Sequence, residues 1–196
     1  MSLLKKFAQF LLDTIQAIVL AFSIFIIFYL FLFQPHQVKG SSMHPSFQDG
    51  EFILTNKISY RFENPQRGDV IVFKAPESEP CSEIECEYIK RLIALPGEKV
   101  KISNGKIYVN DGLLIESEYL TATLQTNTGS FLPEGVEKII PDGYYLPLGD
   151  NRHYSRDGRE FGPIPRESII GKAWLRYWPF NKIGIIEHEN YALGAK

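Results

Sequence analysis

Two serines stand side by side in Gly40-Ser41-Ser42-Met43-His44-Pro45, on a backbone loosened by a glycine and then fixed by a proline. A serine hydroxyl becomes a nucleophile only when a base takes its proton, so the question is which residue supplies one. The chain has four histidines, His36, His44, His153 and His188. A Ser-His-Asp hydrolase needs one of them beside the serine with a carboxylate behind it. His44 is too close to Ser42 in sequence to be an obvious partner, and His36 lies at the end of a long apolar run. His153 sits in a polar loop with Asp150 and Asp157 and keeps that alternative open. A Gly-x-Ser-x-Gly nucleophile elbow is absent around Ser42.

Lys90 is the other candidate base. In Glu87-Tyr88-Ile89-Lys90-Arg91-Leu92-Ile93-Ala94-Leu95, period-two alternation puts Tyr88, Lys90, Leu92 and Ala94 on one face. Ile89, Arg91, Ile93 and Leu95 fall on the other. Both faces are apolar, so at least one of the two cations meets hydrophobic surroundings. Arg91 is expected to pack its stem and send its head to water, because a guanidinium keeps its proton. A buried lysine instead loses its charge readily. A drop of about 3 units from ~10.4 makes it a base near neutral pH.

The elements that would position these groups begin with a membrane segment. From Thr14 to Phe33 no side chain is ionised, and about 20 predominantly apolar residues suffice to cross a bilayer core of ~30 Å. The run exceeds the ~7–15 residues of a cleavable signal-peptide core, and no Ala-x-Ala pattern follows, so it reads as an uncleaved anchor. Lys5 and Lys6 hold the N-terminal end in the cytoplasm by the positive-inside rule. This divides the chain into a cytoplasmic N-terminus (1–13), a transmembrane anchor (14–33) and an extracytoplasmic domain (34–196). Pro35 is expected to end the helix.

The remainder reads as mainly antiparallel β. Short β-rich runs at Glu51–Thr55, Asp69–Phe73, Glu87–Leu95, Lys99–Ile102, Lys106–Val109 and Leu113–Ile115 are separated by turn dipeptides such as Asn104-Gly105 and Asp111-Gly112. Residues 116–140 are irregular and read as a smaller excursion. Gly143–Leu148 and Ile169–Trp178 return to the main sheet. The polar stretch between them, Gly149 to Pro165, is long for a hairpin connection and is a functional candidate.

Composition narrows the function classes. A formal net charge of −2 with no basic block gives little support for a nucleic-acid partner. Cys81 and Cys86 cannot complete a four-ligand metal site, and the spacing of Asp150, Asn151 and Asp157 fails the calcium-loop pattern. The acidic residues between the cysteines disfavour a reactive thiolate. A small disulfide-closed loop is the reading if this stretch lies outside the cytoplasm, and two free thiols are the alternative.

Four blocks then occur in order behind the anchor: Gly40-Ser41-Ser42-Met43-His44-Pro45-Ser46, Arg67–Phe73, Tyr88–Gly97 and Gly149–Arg159. Together they resemble the type I signal peptidases of bacteria, over nearly the whole chain to about Ile185. The resemblance implies a Ser–Lys dyad protease of the bacterial plasma membrane that removes signal peptides from exported preproteins. Ser42 would be its nucleophile and Lys90 its general base, with no cofactor and no metal. Ser155 matches the serine that orients the lysine. Asp150, Asp157 and Arg159 match residues that brace the site through an Asp–Arg pair. Val38, Met43, Tyr88 and Ile89 would line shallow pockets for small residues at −1 and −3.

The chain departs from this pattern at two places. Gly40 stands where some members carry a serine whose hydroxyl helps hold the oxyanion, leaving the backbone of Ser42 and Gly40 as candidate donors. His153 stands where an aspartate is common. The cysteine pair lies in a loop that the resemblance does not cover, so no disulfide is carried over from it. Partners implied are secretory preproteins, membrane lipids and, by proximity, the export machinery. Phe47, Trp174 and Trp178 are candidates for the membrane interface, with core packing as the alternative for the tryptophans. A non-catalytic anchored binding module is the competing class.

Overall fold

The computed structural model of the chain describes residues 3–80, 86–121, 124–187 and 191. It opens on a 30-residue helix, α1 (Leu3–Leu32). Within it Lys5–Tyr29 is long and apolar enough to cross a membrane, and its most apolar stretch is not buried against the described residues. The helix stops at Leu32, before the residue that Pro35 would restrict, and the chain passes directly into strand β1 (Phe33–Gln37). Pro35 therefore sits inside an edge strand, where its missing N–H costs no ladder bond.

The elements that follow are β2 (Phe52–Asn56), α2 (Ser59–Phe62), β3 (Val70–Lys74), β4 (Glu87–Ala94), β5 (Lys99–Ser103), β6 (Lys106–Val109), β7 (Gly112–Leu113), β8 (Lys138–Ile139), β9 (Tyr144–Leu148), α3 (Gly158–Phe161), β10 (Ile164–Pro165), β11 (Ile169–Trp178) and β12 (Gly184–Ile185). They form two antiparallel sheets. The larger runs β1-β2-β11-β3-β4-β9-β10, with β12 added against β11. The smaller runs β7-β6-β5-β8 and holds the two turns that the Asn-Gly and Asp-Gly dipeptides foretold. Its turn residues Asn104, Asn110 and Asp111 have positive φ. The fold is mainly β and antiparallel, as the alternating pattern implied.

Three apolar clusters hold these layers. One joins Ile93, Ala94, Leu146 and Leu148 of the large sheet to Val100, Ile102, Ile107 and Val109 of the small one. The others lie on opposite faces of the large sheet: Val38, Met43, Phe47, Ile53, Val70, Val72 and Ala173 on one, Tyr60, Ile71, Phe73, Leu92 and Tyr145 on the other. β3 alternates between those two faces, which is why it reads as an unbroken apolar run. The alternation expected for β4 breaks near its end. An irregularity in pairing with β9 between Leu92 and Ala94 sends Ala94 to the Ile93 side and Leu95 to the opposite one.

The excursion 116–140 is tied back by Arg152, whose guanidinium donates to Glu116, to Thr126 Oγ1 (2.9 Å) and to the Tyr119 hydroxyl (3.1 Å). Trp174 and Trp178 are partly exposed, whereas Phe47 is buried beneath the Arg176 guanidinium and lies at no interface. The proposed cysteine loop falls at 81–85, outside the described residues. Cys86 is disulfide-bonded.

Candidate active site

Ser42 follows a turn that begins at Gly40. There φ is +82°, a left-handed conformation that favours glycine, and the Gly40 N–H donates to Asp49 Oδ1 (2.6 Å). A side chain at 40 would meet open space, so backbone conformation and not room selects the glycine. Met43 then drops into the core, 1% exposed, and does not line the groove expected of it. The apolar side chain is held by Val38, Phe47 and Ile53 beneath the loop.

Lys90 approaches from β4. Its Nζ donates to Ser42 Oγ (2.8 Å) and to the Ile89 carbonyl (3.0 Å), and no carboxylate of the described residues lies within hydrogen-bond distance of it. Burial pushes the amine down to about 8, and the more distant carboxylates of Asp157, Asp150 and Glu79 only partly oppose this. The Tyr88 ring lies 5.2 Å from Nζ. Of the candidate bases among the described residues, this is the one that reaches Ser42. His153 is exposed and has no hydrogen bond to the serine among the described residues.

Arg91 departs from expectation. It is buried, not extended to water, because Asp150 meets it bidentately: Nε to Oδ1 at 3.0 Å and Nη2 to Oδ2 at 2.8 Å. The Tyr119 ring covers the guanidinium at 4.1 Å. This pair fixes the start of the Gly149–Arg159 loop against β4. From there Asn151 holds the serine turn, its N–H donating to the Ser42 carbonyl (3.0 Å) and its side-chain amide to the Ser41 carbonyl (3.0 Å). Sequence reading assigned Asn151 no such part. Its place between two braced residues was the available signal.

The second Asp–Arg pair is Asp157 with Arg159, joined at 2.8 Å on both sides of the fork. Burial pushes the Asp157 carboxyl up, but the Arg159 bonds and the Gly149 N–H outweigh it and hold the carboxyl below its ordinary value. Arg159 also donates to the carbonyls of Arg152 (2.6 Å), Asn127 (2.9 Å) and Ser155 (3.2 Å). It is thus the hub of the loop. Ser155 lies beneath the serine turn, packed on Gly149, with its Oγ buried. Among the described residues that hydroxyl has no hydrogen bond to Lys90, so the expected one is not formed; it lies beside the Asp157 carboxyl, which it helps hold below its ordinary value. Gly149 has no room for a side chain, since a methyl there would overlap Ser155 and the Ser42 carbonyl.

A groove of about 610 Å³ opens beside Ser42 and Lys90. Val38, Tyr88 and Ile89 line it, together with Ile53, Val72 and the polar His36, Glu87 and Arg156. Its walls are the free edge of β1 and the β9-side edge of the start of β4, which no strand of the described residues covers. An uncovered strand edge offers an extended peptide a ladder of backbone partners.

The family model described as signal peptidase, peptidase S26 matches residues 11–178. Signal peptidase IB of Staphylococcus aureus strain Mu50 is 38% identical over 183 residues, covering 88% of this chain and 92% of that protein. The same protein of strain COL is 37% identical over the same span. A solved signal peptidase I from Enterococcus faecalis V583 is 28% identical, covering 56% of this chain and 97% of that one, with a TM-score of 0.42. The chain belongs to the signal peptidase, peptidase S26 family.

Proposed function

We propose that the chain is a membrane-anchored serine endopeptidase that removes N-terminal signal peptides from exported preproteins, using Ser42 as nucleophile and Lys90 as general base. The observation that carries this reading is the 2.8 Å contact between Lys90 Nζ and Ser42 Oγ, made by a buried amine whose affinity for a proton is lowered to near neutrality. In the neutral amine the Ser42 O–H donates along that contact to the lysine lone pair. The hydroxyl oxygen attacks the carbonyl carbon of the −1 residue as its proton passes to Lys90. The Ser42 N–H serves the resulting oxyanion, since the Gly40 N–H is already committed to Asp49. Collapse breaks the C–N bond, and the Lys90 ammonium protonates the departing amine. Water, deprotonated by the same lysine, then releases the signal peptide from Ser42.

The remaining residues act through these two. Asp150 with Arg91, and Asp157 with Arg159, hold the loop whose Asn151 clamps the serine turn. Ser155 backs that turn through Gly149. The shallow apolar patch of Val38, Ile53, Val72 and Ile89 suits small side chains at −1 and −3. The apolar run of α1 anchors the protein in the plasma membrane, with Lys5 and Lys6 on the cytoplasmic side and the sheets outside. Tethering raises the effective concentration of the site where signal peptides leave the bilayer, near the export machinery.

Cleavage of a model preprotein by wild type, Ser42→Ala and Lys90→Ala, with the N-terminus of the product identified, tests the reading. Both variants are expected to lose cleavage while remaining folded by circular dichroism. Near-normal turnover by Lys90→Ala would overturn the dyad.

A further inference from the structure

The groove that ends at Ser42 and Lys90 has a second end. β1 and β4 are separated by three strands, and four successive antiparallel pairings make them run in the same direction. The sheet curls until their side chains meet across the groove in rungs. Ser42 meets Lys90, and Val38 and Ile89 share one apolar cluster. Two residues farther back on both strands, His36 Nε2 meets the Glu87 carboxylate at 2.8 Å. Thr55 Oγ1 lies 2.9 Å from His36 Nδ1, and Gln34 Nε2 donates to the other Glu87 oxygen at 3.4 Å. The chemistry at Ser42 makes no use of this polar strap.

An extended peptide advances about 3.3 Å per residue and turns alternate side chains to one face. The step from Val38 to His36, and from Ile89 to Glu87, is likewise two residues. A peptide with its −1 carbonyl at Ser42 and its −3 side chain on the apolar patch therefore brings its −5 side chain to the strap. Burial holds His36 below its ordinary value, against the pull of Glu87 and with a push from Lys57. The imidazole is then neutral and adds no positive charge beside the Glu87 carboxylate, 2.8 Å away. Other cations along the groove are Lys39 and Arg156, the latter paired with Glu79 at 2.7 Å.

We propose that His36 and Glu87 form a −5 subsite, an anionic end wall that favours a cationic or hydrogen-bond-donating side chain and disfavours a carboxylate. The proposal rests on the reading of Ser42 and Lys90 given above. It extends the specificity of the groove past its apolar patch, to a position that composition of the patch alone would leave unread.

The experiment uses the full chain in detergent micelles and peptides identical except for Lys, Gln or Glu at −5. The ratio of kcat/KM between the Lys and Glu peptides is read within each enzyme, so overall rate does not enter. Wild type is expected to favour Lys by about tenfold at pH 8, the scale of one close charge contact. Glu87→Gln is expected to bring the ratio to within about twofold of one, and Glu87→Lys to invert it. A structural disturbance alone would not invert a preference. A wild-type ratio near one, or a ratio unchanged in Glu87→Gln, overturns the end wall. That first arm decides even if the variants fail to fold. Peptide cleavage that persists in Ser42→Ala overturns the nucleophile assignment, whatever the ratio.

Discussion

Lys90 and Arg91 are consecutive cations on one strand, 4% and 3% exposed, yet their two faces of β4 treat charge in opposite ways. On the Arg91 face a carboxylate meets the guanidinium at both nitrogens and an aromatic ring covers it. On the Lys90 face the hydrogen-bond partners are a hydroxyl and a carbonyl, and the carboxylates of the described residues stay beyond hydrogen-bond reach. Equal burial thus yields a fixed charge on one side and a removable proton on the other. Partner placement decides which. A buried pair is satisfied and inert, whereas a buried cation without a pair is driven towards neutrality.

The comparison can be broken from either face. Replacing Lys90 by Arg keeps a cation but removes the capacity to accept a proton. Cleavage is expected to fall by about 10³-fold or more, as for loss of a general base, with single-turnover assays as the measure. On the other face, Asp150→Ala leaves the Arg91 charge buried and uncompensated. The expected cost is about 3–5 kcal/mol in urea unfolding, and Arg91→Met combined with Asp150→Leu should recover most of it. Gly149→Ala forces a methyl between Ser155 and the Ser42 carbonyl. It is expected to lower stability by about 1–3 kcal/mol and to reduce kcat more than it raises KM.

A pH series sharpens the contrast. As the proposed general base Lys90 must be neutral to act, so kcat/KM should rise with pH through a midpoint near 8. The same group predicts a stability effect. Its folded value of about 8 lies below the ordinary 10.5, so the unfolded chain holds the extra proton between them. Relative to Lys90→Met, wild type should therefore gain stability as pH rises from about 8 to 10.5, with no change from this group below that window. The smallest effect concerns Gly40. Gly40→Ser finds open space but a left-handed backbone, so a loss of about 1 kcal/mol is expected without any gain in rate.

Much of this was legible in the residues. The unbroken apolar run and the turn dipeptides located the helix and most strands, because both signals are local. Lys90 stood out as the cation able to lose its charge, although its pairing with Ser42 spans 48 positions and was read from the resemblance. What stayed hidden depends on contacts between distant segments. Arg91 was expected to reach water because nothing nearby in sequence announces Asp150 as its partner. Met43 was expected in a pocket because a side chain beside the nucleophile faces either the groove or the core, and adjacency does not distinguish them. The brief strands β8, β10 and β12 carry too few residues to show a period.

The junction at Leu32 has a mechanical consequence. No linker separates α1 from β1, the Lys57 N–H seals the join by donating to the Leu32 carbonyl (2.9 Å), and Phe33 stacks on Trp174 at 5.2 Å. One wall of the peptide groove is therefore a rigid continuation of the anchor. If that anchor spans the bilayer as proposed, the height of Ser42 above the lipid is set by a five-residue strand, roughly 17 Å long. The protein then works as a depth gauge, cutting where a chain emerges to a given distance from the membrane as well as where its side chains fit.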